Sequence, residues 1–147
     1  MAPSYSLLFD LFVLNSRVRT YLNRALADAP LTAEEYAVYS ILFEQGPTPP
    51  TQLAQIAGMP ATTTSDYIRT LLRRGHAEKR PHPTDARSYL LALTPDGLAA
   101  QRATGRRFLV AMRLVETNLD DDLAEVTRSV RAFGEAVRRS LADLPES

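Results

Sequence analysis

The fold is decided by residues 51–80, which read TQLAQIAGMPATTTSDYIRTLLRRGHAEKR. The apolar spacing predicts a short helix over residues 52–57, and Gly58 follows at the position where a left-handed residue ends a helix. A longer helix is predicted over residues 61–74 and stops at Gly75. A short helix, a glycine turn and a longer helix together form a helix-turn-helix.

In the next stretch, PTDARSYLLALTPDG at residues 83–97, the spacing of apolar residues is typical of a strand and no longer of a helix. Residues 76–80 and 88–94 have strand character, and the connector between them contains two prolines and an aspartate, which favour turns. We therefore expect a two-stranded hairpin with a basic tip. Thr94 then begins another helix as its N-cap, with proline at the first helical position. A helix-turn-helix followed at once by such a hairpin is a winged helix.

Four further helices are predicted around this unit. Their expected ranges are residues 4–27, 33–46, 95–117 and 123–141. Thr32 and Glu35 have the spacing of a capping box, in which each caps the other's backbone. In the proline-rich connector 47–50 and just after it, threonines are expected to cap the short helix. The fold class is thus mainly α with a small β-hairpin wing, a winged helix-turn-helix between long terminal helices.

Composition excludes several classes of protein. The chain has 147 residues and no cysteine, which excludes disulfides, thiolate nucleophiles and cysteine zinc sites. Only two histidines are present, and there is no glycine-rich phosphate loop, so we expect no enzyme, no cofactor and no metal site. Asp120, Asp121 and Asp122 are explained by helix capping. The sequence offers no membrane-length apolar run and no secretory signal, so a soluble cytoplasmic protein is expected.

The formal net charge of zero hides an uneven distribution. Residues 69–107 carry a net charge of +6, whereas residues 1–68 and 108–147 carry −3 each. The positive block covers the end of the longer helix and the hairpin. These are the elements that meet DNA in a winged helix. The net charge of zero therefore says little about whether the chain binds nucleic acid.

The second helix of a helix-turn-helix enters the major groove, which is about 12 Å wide, and its N-terminal residues meet base edges. The candidate DNA-binding residues on this helix are Ala61, Thr62, Thr63, Ser65, Asp66, Arg69 and Arg73. Those on the wing are Lys79, Arg80, His82 and Arg87, and Arg74 is also suited to a phosphate. An ordinary explanation exists, because hydroxyl residues cap helices and arginines complement the helix dipole. The conjunction of both features on adjoining elements favours DNA binding.

The order of elements and the two quoted stretches resemble the MarR family of bacterial transcriptional regulators. The most specific element is Asp85-Ala86-Arg87, followed by a hydrophobic strand and Leu93-Thr94. The resemblance implies that Arg87 reaches the minor groove or its phosphates and that Asp85 orients it through a salt bridge. It also implies that recognition-helix contacts fall on Ala61, Thr62, Thr63, Ser65 and Asp66.

Asp66 departs from many family members, which have a basic or neutral residue there. An acidic side chain at the groove repels phosphate, so its role needs another explanation. It either accepts from a cytosine amino group or pairs with Arg69 or Arg73 on its own helix. We favour the pairing.

The terminal helices present apolar stripes that exceed what one winged helix can cover. They either pack on each other within one chain or form a homodimer, which the resemblance also implies. We expect one MarR-like domain over residues 1–147. In it, residues 31–94 form the DNA-binding lobe, and residues 4–30 and 95–145 form the dimerisation helices.

The resemblance further implies relief from DNA by a small aromatic or anionic ligand bound between the dimerisation helices and the winged helix. The candidate ligand residues are Phe12, Arg17, Tyr21, Tyr36 and Tyr39, together with Phe9 and Phe108. Each is also explained by ordinary packing. The leading hypothesis is therefore a homodimeric repressor that binds double-stranded DNA at a palindromic operator. The alternative is a winged-helix protein-interaction module without DNA binding.

Overall fold

A computed structural model describes residues 6–145 of the chain. In this range it contains, in order, α1 (Leu7–Ala25), α2 (Ala33–Gln45), α3 (Pro50–Ala57), α4 (Ala61–Arg73), β1 (Ala77–Pro81), β2 (Tyr89–Leu93), α5 (Pro95–Thr117) and α6 (Leu123–Leu141). The predicted fold class is confirmed, because a helix-turn-helix and an antiparallel hairpin lie between long helices. The chain divides into two compact units between Leu109 and Val110, within α5. The extent of the domain over residues 1–147 stays a prediction.

The core of the first unit joins α2, α3, α4, the hairpin and the first turns of α5. Its buried side chains are Leu31, Val38, Tyr39, Leu42, Leu53, Ile68, Leu71, Ala77, Leu91 and Ala100. Each helix of the helix-turn-helix buries one face in this core, and Gly58 adopts the left-handed conformation that the turn between α3 and α4 requires. The opposite face of α4 is left exposed.

Helix boundaries follow the predicted caps closely. The Thr32 hydroxyl accepts from the Glu35 N–H at 3.2 Å, and the Glu35 carboxylate accepts from the Thr32 N–H at 3.0 Å, which confirms the capping box. Helix α1 begins after Ser6, whose side chain caps it, and ends two residues before the predicted end at 27. The first residues of the predicted range 4–27 lie outside the described residues.

The connector before α3 differs from the prediction. Its N-cap is Pro49, with no side-chain hydrogen bond, and α3 begins at Pro50, so the expected threonine cap is wrong. Thr48 is instead buried, and its backbone forms an isolated antiparallel bridge with Leu91 through hydrogen bonds of 2.8 and 2.9 Å. Its hydroxyl donates to the Gly46 carbonyl at 2.8 Å. Proline supplies the helical backbone angle for the first turn and has no N–H that needs an acceptor, so α3 forms without a side-chain cap.

The hairpin pairs antiparallel, from Ala77 opposite Leu93 to Pro81 opposite Tyr89. Thr94 connects the base of this wing to the start of α5. Its hydroxyl accepts from the Gly97 N–H at 3.2 Å, which confirms it as the predicted cap, and donates to the Gly75 carbonyl at 2.6 Å.

The second unit contains the end of α5 and all of α6. The Asp122 carboxylate accepts from the Glu125 N–H at 2.9 Å, as expected for a helix cap. No residue of α6 is buried, and its exposed apolar residues include Val130, Val137 and Leu141. Within residues 6–145, no helix has the length and apolar character needed to cross a membrane.

Candidate nucleic-acid interface

The exposed face of α4 carries a polar stripe. Thr64, Ile68 and Leu71 point into the core, whereas the opposite face presents residues at steps of four, three and four. This outer stripe consists of Thr62, Asp66, Arg69 and Arg73. Of the other predicted contacts, Ala61 and Ser65 are exposed and Thr63 is half-buried. The hydroxyl run is therefore divided, because the Thr64 hydroxyl donates to the Pro60 carbonyl at 3.1 Å inside the fold.

Asp66 forms an ion pair with Arg69 through its Oδ1 and the guanidinium Nη2. The structure thus forms one of the two pairings that the sequence indicated. Both side chains are more than 70% exposed, at 72% and 73%. Arg73, one turn further along, forms no ion pair within the part of the chain that the structure describes. On the outer stripe, Arg69 therefore has a carboxylate beside it, whereas Arg73 has none among the described residues.

Arg74 lies outside the outer stripe and forms an ion pair within the fold, and its assignment to a phosphate contact stays a prediction. Its guanidinium Nη2 lies 3.0 Å from the Glu35 carboxylate of α2. That hydrogen bond is the main cause that raises the pKa of Arg74 above its ordinary value, and a hydrogen bond with Tyr39 also raises it. Arg74 therefore connects the end of α4 to α2.

Tyr39 is fully buried beside this ion pair. Its hydroxyl lies 2.9 Å from the His76 Nδ1, and the two rings meet edge to face with centroids 5.8 Å apart. Burial raises the pKa of the Tyr39 phenol. The hydroxyl therefore stays protonated and can donate a hydrogen bond to the His76 imidazole. Sequence reasoning assigned Tyr39 to a ligand site, but the structure uses it to connect α2 to the residue just before β1.

The cations on the hairpin have neighbours within the wing. The Lys79 ammonium lies 4.5 Å from the centroid of the Tyr89 ring, in cation–π geometry. Arg80 pairs with Glu78 at 2.9 Å. Both side chains remain exposed, so either can turn toward a phosphate at little cost.

The wing loop, residues 82–88, is held by local hydrogen bonds. The His82 Nδ1 accepts from the backbone N–H groups of Thr84 and Asp85 at 3.2 and 3.0 Å. His82 thereby organises the loop, and only its Nε2 is left for an outside partner. The Asp85 carboxylate accepts from the Arg87 backbone N–H at 2.9 Å.

This geometry corrects the expected role of Asp85. In residues 6–145 no ion pair joins Asp85 to the Arg87 guanidinium. A short aspartate side chain reaches a backbone N–H two residues ahead more readily than a long flexible guanidinium, and it closes a tight turn. Asp85 therefore orients Arg87 through the backbone and leaves the exposed guanidinium unpaired.

Within residues 6–145, the seven predicted ligand residues lie in different surroundings. Phe12 is 71% exposed on α1. Arg17 and Tyr21 lie together beside a shallow depression of about 320 Å³ on the same helix. Tyr36 packs on Phe108, with ring centroids 4.9 Å apart. The ligand site stays a prediction; among the described residues, Arg17 and Tyr21 line the same depression.

Comparison with known proteins agrees with this architecture. Residues 31–89 match the model of the MarR family. The multiple antibiotic resistance proteins MarR of Salmonella typhimurium and Salmonella typhi are each 28% identical over 89 residues, which is 60% of this chain. The aligned region spans 62% of the length of these relatives.

Solved structures match over a larger part of the chain. A probable transcriptional regulator from Pseudomonas aeruginosa is 27% identical with a TM-score of 0.75, covering 86% of this chain and 95% of that one. The PcaV transcriptional regulator from Streptomyces coelicolor, in complex with its natural ligand, is 25% identical with a TM-score of 0.69, covering 99% and 100%. The Mycobacterium tuberculosis regulator MOSR, in complex with DNA, shares the fold at 19% identity, with a TM-score of 0.80 and coverage of 92% and 98%. Residues 31–89, which contain the helix-turn-helix and part of the hairpin, are thus similar to the MarR family, and the fold matches that of solved transcriptional regulators across most of the chain.

Proposed function

We propose that this chain is a sequence-specific DNA-binding transcriptional regulator that acts as a homodimeric repressor in the cytoplasm. The observation that carries this proposal is the outer stripe of α4, a polar face with two arginines on a helix whose other face is buried. This helix leads through Gly75 directly into a wing whose Arg87 is exposed and forms no ion pair within residues 6–145. In a winged helix these two surfaces meet the major groove and the adjoining backbone.

The proposed homodimer rests on apolar surface that each terminal helix leaves exposed. On α1, Leu8 and Phe12 are 65% and 71% exposed, and on α6 Leu141 is 62% exposed. Large apolar side chains grouped along a helix in this way favour burial against a partner. Two copies of α4 would then meet a palindrome with half-sites about 34 Å, one helical turn, apart.

Relief by a small aromatic or anionic ligand is part of the proposal. The solved PcaV neighbour is described in complex with its natural ligand. In this chain, Arg17 and Tyr21 offer a cation and an aromatic ring at one surface of α1. This combination suits an aromatic carboxylate.

A protein-interaction module without DNA binding is the second candidate. It is favoured by the carboxylates beside Arg69 and Arg80, which reduce the positive charge that α4 and the wing present. The two functions differ in their dependence on salt, because phosphate contacts release counterions and give a steep loss of affinity with salt.

The deciding experiment selects duplexes from a random pool with the full chain and measures their affinity against salt concentration. We expect a palindromic sequence, a steep slope, and a loss of about 1–3 kcal/mol in binding for Arg87→Ala. Leu141→Asp should lower both dimerisation, measured by sedimentation, and DNA affinity. If no duplex is enriched, or the slope is flat, the interaction module is the better account.

A further inference from the structure

The Asp66–Arg69 ion pair lies at the centre of the outer stripe of α4. Its position matters because the middle of the outer face, opposite the buried Ile68, approaches the floor of the groove, while the flanks approach the phosphates. Long side chains on a helix also lean toward its N-terminus, and Arg69 accordingly reaches back to Asp66. The guanidinium is thereby held toward the end of α4 that meets base edges.

We propose that Arg69 reads a guanine base and that Asp66 is the positioning residue that holds its guanidinium for this contact. The inference rests on the proposed DNA binding and adds which base is read and by which side chain. A guanidinium has five N–H donors, and Asp66 uses one donor, on Nη2. The other four N–H donors, on Nε, Nη1 and Nη2, remain available. The O6 and N7 atoms of guanine accept from two donors of one arginine.

Charge favours a base over a phosphate as the partner of Arg69. The pair carries no net charge, so its attraction to a phosphate is weakened and the carboxylate repels the phosphate oxygens. A guanine edge is neutral, so it loses less from the nearby carboxylate. Orientation adds to this preference, because two-point recognition of a base depends on the plane of the guanidinium, whereas a phosphate accepts from many directions.

Arg73 provides the matched comparison on the same stripe. It lies four residues beyond Arg69 and has no ion pair in residues 6–145, so it keeps its full charge and its rotational freedom. Those properties suit a phosphate contact, which positions the helix but carries no sequence information. The two arginines should therefore differ in what their loss does to binding.

The test measures the affinity of the full chain for its selected palindrome, for variants with each base pair replaced symmetrically, and for unrelated DNA. The proteins are wild type, Arg69→Lys, Arg69→Ala, Asp66→Asn and Arg73→Ala. All these side chains are exposed, so unfolding midpoints should be unchanged. The salt dependence of binding is measured for each protein.

For Arg69→Lys we expect discrimination at one G·C pair in each half-site to fall by about 5- to 150-fold, with little change on unrelated DNA. Asp66→Asn should weaken discrimination at the same base pair while raising affinity for unrelated DNA, because a negative charge is removed. Arg73→Ala should weaken binding to all sequences and reduce the salt slope by about 0.9 per protomer. Arg69→Ala should leave the salt slope close to that of wild type.

Two results would overturn the inference while DNA binding itself stands. One is a uniform loss on all sequences, with a reduced salt slope, for Arg69→Ala. The other is an unchanged base preference for Asp66→Asn. Failure of the wild-type chain to select any duplex would instead refute the proposed function.

Discussion

Gly97 gives the sharpest test of the packing between the wing and α5. It lies in the first turn of α5 and is buried against the backbone of His76. A Cβ atom at this position would lie 2.0 Å from the His76 carbonyl oxygen and 2.9 Å from its carbonyl carbon. Because both obstacles are backbone atoms, no side-chain rotation relieves the clash. Gly97→Ala should therefore force α5 and the start of the wing apart.

The loss of stability can be worked out from the backbone atoms that Gly97→Ala displaces. The carbonyl oxygen of His76 accepts from the Thr94 N–H at 3.0 Å, and separation by more than an ångström weakens that hydrogen bond. Overpacking costs about 1–3 kcal/mol, and a lost buried hydrogen bond costs about 1 kcal/mol or more. We expect the free energy of unfolding to fall by about 3 kcal/mol. For a chain of this size that corresponds to roughly 6–12 °C in the unfolding temperature.

Urea unfolding followed by circular dichroism measures this loss, and Gly134→Ala is its control. No atom lies within 4 Å of a Cβ built at Gly134, which is exposed in the interior of α6. There, alanine should leave stability unchanged or raise it by up to about 1 kcal/mol. A Gly97→Ala variant as stable as wild type would show that the backbones do not approach this closely.

Three further predictions follow from the hydrogen bonds described above. Tyr39→Phe removes the donor to His76 and should lower stability by about 1–3 kcal/mol at neutral pH. Because the pKa of Tyr39 is raised from 10.0 in the folded chain, wild-type stability should fall as pH rises from that value through the folded pKa, and Tyr39→Phe should lose less stability over this range. Equal losses in urea titrations across this range would contradict the assignment. Asp85→Ala should free the Arg87 backbone and reduce DNA affinity by no more than Arg87→Ala does; a larger loss would mean that Asp85 does more than orient Arg87. Thr32→Ala should cost about 1 kcal/mol of stability through the lost cap, without changing the affinity of the folded protein for DNA.

Local features of the chain were predictable from sequence because their causes are local. Helix α5 begins and ends where proline, its threonine cap and the apolar spacing place it, and the capping box at Thr32 forms as predicted. The fold class also follows, since the order of helices, glycine turn and hairpin is visible in the residue pattern. The bridge between Thr48 and Leu91 was missed because one paired residue has no periodicity to detect.

The candidate interface was predictable only where a side chain's direction follows from helical spacing. The outer stripe of α4 lies opposite the apolar positions Ile68 and Leu71, which are buried in the structure. Arg74 differs because its partner, Glu35, lies on another helix, and nothing in the spacing of α4 indicates that contact. In the same way, residue order identifies the Asp85–Arg87 motif but not which atoms of the two residues meet.

Three consecutive residues join α4 to the wing, and of these only Arg74 was predicted to contact DNA. Arg74 is fixed to Glu35, the Gly75 carbonyl accepts from the Thr94 hydroxyl, and the His76 ring meets Tyr39. Since a base-reading helix and a wing bind one duplex together, a small rotation at this joint separates their contacts. We therefore expect residues at this joint, away from the proposed DNA contacts, to influence DNA affinity as well as stability. For that reason, substitutions at Tyr39 or Gly97 should weaken DNA binding even under conditions where the protein remains folded.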